Sequence, residues 1–192
     1  MRRDEISRQL KDAGWDVRLS PKQPLSVMQT TENRFGFFDK GCGFSFIRFE
    51  DEIIDATRNG HLHRIFGMSP FGLLSLLDSG EIIAMEDDEG PPPLILHAGT
   101  SLDQFFSSWV MFRAAVFLGQ SAGLGSFDQE RAIRFLKDNA DPIFFRQEED
   151  NFWNRMVFML EEGDVPLGRD IREYIETGRL AGFFAAYDAP ER

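Results

Sequence analysis

The chain has 192 residues, 42% hydrophobic and 28% charged, the composition of a folded domain and not of a disordered one. Asp and Glu number 32 against 21 Lys and Arg, and the net charge of −11 is spread over both halves. That excludes the basic footprint that direct DNA or RNA binding requires and complements a basic partner. A single cysteine, Cys42, excludes an intrachain disulfide framework and a Cys-rich zinc site, while 20 Phe predict a core built on ring contacts.

Residues 3–13 read as a short amphipathic helix. Ile6, Leu10 and Ala13 share a face and Gly14 supplies the stop. Pro21 and Pro24 keep the following stretch extended. Residues 44–49 alternate in part and predict a strand, preceded by a turn at Gly41, Cys42 and Gly43. Residues 51–59 carry acids early, Arg58 late and Gly60 behind them, which predicts a helix. A hairpin follows, with strands 73–77 and 81–85 joined by Asp78-Ser79-Gly80, a three-residue loop with Gly at its αL position. The acidic run Glu86-Asp87-Asp88-Glu89 leaves the sheet, Pro91-Pro92-Pro93 stiffens the link, and residues 94–96 form a third short strand ahead of His97.

The second half reads as mostly helical. Ser101 and Gln104 make a capping box before a helix whose apolar face carries Leu102, Phe105, Phe106, Trp109, Phe112 and Val116. A Gly-rich connector, residues 119–125, leads to Ser126 and Gln129, a second capping pattern, and a helix bearing Ile133, Phe135 and Leu136 that Asp141-Pro142 breaks. Residues 150–162 form a third helix with Phe152, Trp153, Met156, Val157 and Leu160 on one side and Gly163 behind. A last segment with Ile171, Tyr174 and Ile175 is helical in pattern, and residues 185–192 read as a frayed tail. Hairpin-joined strands imply an antiparallel sheet with helices on one face, an α+β core over residues 1–118, followed by a helical extension, 119–192, packed on it as one unit. The start lacks the apolar core of a signal peptide. The most apolar window, residues 105–119, holds Ser107, Ser108 and Arg113 and is too short and polar to span a bilayer, so the expected setting is a reducing cytoplasm without membrane contact.

Each candidate for chemistry has a plainer structural reading. His61-x-His63 would place two rings on one face of a strand, and His97 would complete a metal site if the fold gathered all three; the plainer reading is polar residues near a turn. Cys42 could act as a nucleophile, yet a lone Cys beside Phe44 and Phe46 is a small core residue first. Gly123-Leu124-Gly125-Ser126 lacks the Lys of a phosphate loop and reads as a linker with an N-cap. The acidic run 86–89 is either a solvated turn or a docking edge for a basic partner; Glu50, Asp51, Glu52 and Asp55 form a second such edge. Phe105, Phe106, Trp109, Phe152 and Trp153 read as core, with helix 101–118 meeting helix 150–162 through the two Trp.

Three stretches resemble the SUKH superfamily, in particular its actinobacterial-type immunity-protein branch. They are the hairpin 73–83 with its Asp78-Ser79-Gly80 turn, the run His97-Ala98-Gly99-Thr100-Ser101-Leu102 leading to Phe105, and Asp141-Pro142 followed by Asn151-Phe152-Trp153 and Leu160-Glu161-Glu162-Gly163. The likeness covers residues 71–163, with Gly99-Thr100 standing where that family carries Asn before its Ser-Leu pair. It implies a SUKH-like α+β fold and a cytoplasmic antidote that binds and occludes a cognate polymorphic toxin, of which basic nucleases are common examples. It implies no catalytic residue and no cofactor. The rival readings are a regulatory or scaffolding module of the same fold and a metal- or Cys-dependent enzyme built on His61, His63, His97 or Cys42.

Overall fold

The structure, a computed structural model, describes residues 3–19, 45–46, 54–85, 95–120, 128–146 and 151–163. Their order is α1 (Arg3–Asp12), β1 (Asp16–Leu19), β2 (Ser45–Phe46), β3 (Ile54–Arg58), β4 (His61–Ser69), β5 (Gly72–Leu77), β6 (Ile82–Met85), β7 (Ile95–Gly99), α2 (Leu102–Gln120), α3 (Gln129–Asn139), a 3₁₀ turn (Pro142–Phe145) and α4 (Phe152–Glu162). The fold is α+β. All pairings between the strands are antiparallel, in the order β1-β3-β4-β5-β6-β7. Strand β4, nine residues long, outruns its neighbour: β3 pairs with it from His61 to Ile65, and β2 takes up Gly67 and Met68.

Period-two alternation sorts the strand residues onto two faces. One face presents Phe66, Leu74, Ile82, Ala84, Leu96 and Ala98 to α2, α3 and α4 in the larger core. The other presents Ile54, Ala56, Ile65, Ile83 and Met85 to Ile6 and Leu10 of α1. The sheet is therefore covered on both faces, a correction to the expectation of helices on one face only. In strand β5 the alternation is hidden because both faces are apolar: Leu74 and Leu76 point one way, Leu73 and Leu77 the other. That is the reading for strands buried on both sides.

The local signals explain the elements. Gly80 takes φ 90° in the predicted loop, and Leu77 N–H donates to Glu81 O at 2.9 Å. Gly14 at φ 83° and Gly163 at φ 78° follow their helices in the left-handed region. Residues 51–59 are a correction: Ile54–Arg58 is strand, and the turn after it is Asn59-Gly60 with φ 53° and 81°. Two consecutive positive φ angles make the tight hairpin turn that Asn-Gly favours, with Arg58 opposite His61. The Gly60 that suggested a helix stop is a hairpin Gly; of the acids before it, Asp51 and Glu52 lie outside the described residues and Asp55 is in β3. Helix α3 starts after Asp128, whose carboxylate accepts from Arg131 N–H at 2.9 Å, so the cap is two residues beyond the expected Ser126. Strand β1 was not foreseen, although Trp15, Val17 and Leu19 alternate with Asp16 and Arg18. The segment around Ile171, Tyr174 and Ile175, the connector 119–125 beyond Gln120 and the tail lie outside the described residues.

Helix α2 is apolar nearly all round, and it is correspondingly enclosed: Phe105, Phe106, Trp109, Phe112, Ala115 and Val116 are buried. Its start uses a variant of the capping box. Ser101 Oγ accepts from Gln104 N–H at 3.2 Å, while Gln104 Oε1 reaches past it to Thr100, accepting from the backbone N–H and the hydroxyl at 2.8 Å each. Gly99 admits this turn: a Cβ there would sit 3.3 Å from Phe105 Cβ and N, which is tight packing against backbone. Among the described residues no helix is long and apolar enough to cross a membrane.

Candidate functional site

The ring core holds the three resembling stretches together. Trp153, fully enclosed, donates its indole N–H to Ala98 O at 2.6 Å, which ties α4 to the end of β7. Asn151 caps α4: its Oδ1 accepts from Trp153 and Asn154 N–H at 3.0 and 3.2 Å, and its Nδ2 donates to Ile143 O and Arg146 O at 2.7 and 3.0 Å. One side chain thus closes the start of α4 and the end of the 3₁₀ turn after Asp141-Pro142. Phe105, Phe106, Trp109, Phe152 and Trp153 are all buried. Trp153 meets α2 through Phe105 (5.6 Å between centroids) and Phe112 (6.4 Å), and it meets Phe144 at 4.9 Å. Trp109 sits against Phe106 and carries the buried Arg113 guanidinium 5.0 Å above its ring. Phe105 in the first turn of α2 and Phe112 two turns on carry these contacts with Trp153.

The expected acidic edges lie mostly elsewhere. Glu86, Asp87, Asp88, Glu89, Glu50, Asp51 and Glu52 are outside the described residues, as is Cys42. Asp55 stands on β3 and by alternation with Ile54 and Ala56 faces the ring side of the sheet. Arg64 on the neighbouring strand reaches Asp55 at 3.9 Å and Asp78 at 4.0 Å, and Arg18 pairs with Asp16 at 3.3 Å on the edge strand. This end of the face is a mixed-charge surface. Asp55 side-chain exposure is 22%, so it is already partly engaged within the sheet.

The histidines are not gathered. His61 and His63 share one face of β4, but His97 is on β7, three strand spacings or roughly 14 Å across the sheet. The strand expected over residues 94–96 runs from Ile95 to Gly99, so His97 pairs with Ile83 in mid-strand, and its Nδ1 lies 3.9 Å from Glu81 Oε1. Among the described residues no group of three or more His, Cys, Asp and Glu side chains is arranged to hold a metal ion.

His63 instead belongs to a corner that the sequence reading missed. Its Nδ1 lies 3.3 Å from Oγ of Ser75, which is fully enclosed on β5. Trp15, at the turn from α1 into β1, sets its ring edge-on to the imidazole at 5.1 Å between centroids. The Arg58 guanidinium lies 5.2 Å over that same indole. Register explains the meeting: Arg58 faces His61, and His63 faces Ala56 on one side and Leu77 on the other, all on the face that α1 covers. Burial lowers the His63 pKa below its ordinary value, and the neighbouring His61 and Arg58 charges lower it further. The signal available in the sequence was Ser75, a lone hydroxyl between two Leu pairs, since an enclosed hydroxyl needs a partner.

The chain matches no family model, no curated protein and no solved structure.

Proposed function

We propose that this chain is a non-catalytic binding protein that neutralises a basic protein toxin by occupying its surface, an immunity protein of the SUKH type acting in the cytoplasm. The observation that carries the reading is the joint at Trp153 and Ala98. It ties the second and third of the stretches on which the resemblance rests, and Leu74 and Ile82 of the first enter the same core, which supports reading them as one unit. The net charge of −11 supports a basic partner, since opposite fields steer encounter and suppress wrong partners. The contact edge we assign first is Glu86, Asp87, Asp88 and Glu89, with Glu50, Asp51, Glu52 and Asp55 second.

Co-expression with the product of the adjacent gene tests the reading, scored for growth rescue and for a stoichiometric complex. The reading predicts rescue together with a complex, and it predicts that His61→Ala, His63→Ala and Cys42→Ser still protect, because occlusion needs no nucleophile and no metal. Rescue without a complex would point to an enzyme. A complex with many cellular proteins and no rescue would point to a scaffolding module.

A further inference from the structure

The corner where α1 turns into β1 has a feature that binding a partner does not call for. A ten-residue helix is marginal by itself in water and relies on what it packs against. Here the contacts are Ile6, Leu10 and the indole of Trp15, and Trp15 rests on a histidine. We propose that His63 is a proton-sensitive latch: its protonation weakens the hold of α1 on the sheet and loosens the cover over Ile54, Ala56, Ile65, Ile83 and Met85.

A proton added to His63 creates a positive charge beside Arg58 from β3 and next to His61 from β4. The residues that β5 turns toward it, Ser75 and Leu77, do not titrate. Helix α1 brings Lys11 and Asp12 in its last turn, both exposed and of opposite sign. Asp55 and Arg64 stand on the opposite face of the sheet by the alternation of their strands. The Trp15 ring would attract an imidazolium by itself, but the Arg58 cation already occupies it. With the neutral ring protonated at Nε2, Nδ1 accepts from the enclosed Ser75 hydroxyl. Protonation converts that nitrogen into a donor and leaves the Ser75 proton to find a new acceptor. The sign follows from the lowered pKa of His63. The docked state favours the neutral ring, so this contribution to docking is complete above the His63 midpoint of the released state and is lost as pH falls through the docked midpoint.

An NMR pH titration of the whole chain tests this. The His63 ring carbon, the Trp15 indole N–H and the amide-exchange protection of Ile6 and Leu10 are followed from pH 8 to pH 5. The latch predicts that the Trp15 indole shift titrates with the His63 midpoint. It also predicts that α1 protection falls over the same interval. That loss, in tenfold steps, equals the distance between the His63 midpoints with α1 docked and released. In His63→Asn the indole shift stays flat and α1 protection becomes independent of pH. In Arg58→Gln, which keeps the imidazole, the His63 midpoint rises toward its ordinary value and the pH interval over which protection falls moves up with it. If the wild-type α1 protection is unchanged across the titration, or falls equally in His63→Asn, the latch is overturned.

Discussion

The two faces of the sheet are stabilised by different means. On one, three helices bury a continuous set of rings: Phe66, Phe105, Phe106, Phe112, Phe144, Phe152, Trp109 and Trp153 are all enclosed. On the other, one short helix sets Ile6 and Leu10 against a strip of aliphatic side chains, and its exit is held at a half-buried histidine. The difference teaches that burying a sheet on both faces does not make the faces equal. The ring face has large apolar areas, a buried indole hydrogen bond and a capping Asn that serves two elements. The α1 face has less area and a contact that titrates. The first is suited to being a rigid scaffold, the second to opening by itself.

The largest effect that separates the faces is expected at Trp153. Replacing it by Ala removes two fused rings from a fully enclosed site and leaves Ala98 O without its donor, so the loss in urea unfolding is about 3–5 kcal/mol. A loss below about 1 kcal/mol would mean the site collapses freely and would erase the contrast between the faces. Leu10→Ala probes the other side. An enclosed Leu in a protein core costs about 2–5 kcal/mol when truncated, and here the low end is expected. A helix that can let go limits the cost to the free energy that docks it. Circular dichroism melts should show this loss as a separate early change and not as a shift of the whole transition.

Smaller still is Ser75→Ala, which removes the hydroxyl partner of His63 and is expected to cost about 0.5–1.5 kcal/mol in the same urea assay. A cost near zero would say that the imidazole is held by Trp15 alone. The smallest effect on stability belongs to the proposed contact edge. Changing Glu86 and Glu89 to Gln with Asp87 and Asp88 to Asn should shift stability within about 0.5 kcal/mol. Its effect is on recognition: association with a basic partner slows at low salt, and the wild-type rate falls toward the variant's as the Debye length shrinks from about 10 Å at 0.1 M to about 3 Å at 1 M. Equal on-rates at low salt would move the contact surface elsewhere.

Much of the ring face was legible in the sequence because its signals are local. The hairpin at Asp78-Ser79-Gly80, the cap at Ser101 and the stop at Gly163 each act within a few residues. The aromatic spacing of 105–112 and 152–160 marks wide apolar faces that cannot stay wet. The α1 face was less legible, since it depends on which strands lie side by side. The same Asn59-Gly60 that closes a hairpin can also close a helix, and only pairing with His61 decides between them. His61 and His63 gave the right spacing for one strand face, but the spacing alone suggests a metal. Trp15, Arg58 and Ser75 arrive from three other elements and turn the same imidazole into a structural contact. Asp55 was read as part of a second contact edge and is paired with Arg64 across strands, which no local pattern announces.

Native-state hydrogen exchange with increasing urea, at pH 7.5, tests the inequality of the two faces most directly. The account predicts that the amides of α1 exchange through an opening of lower free energy and weaker urea dependence than those of α2 and α4, whose amides exchange only with global unfolding. Exchange of α1, α2 and α4 with one common free energy and one common urea dependence would contradict it, since the two faces would then rise and fall as a single unit.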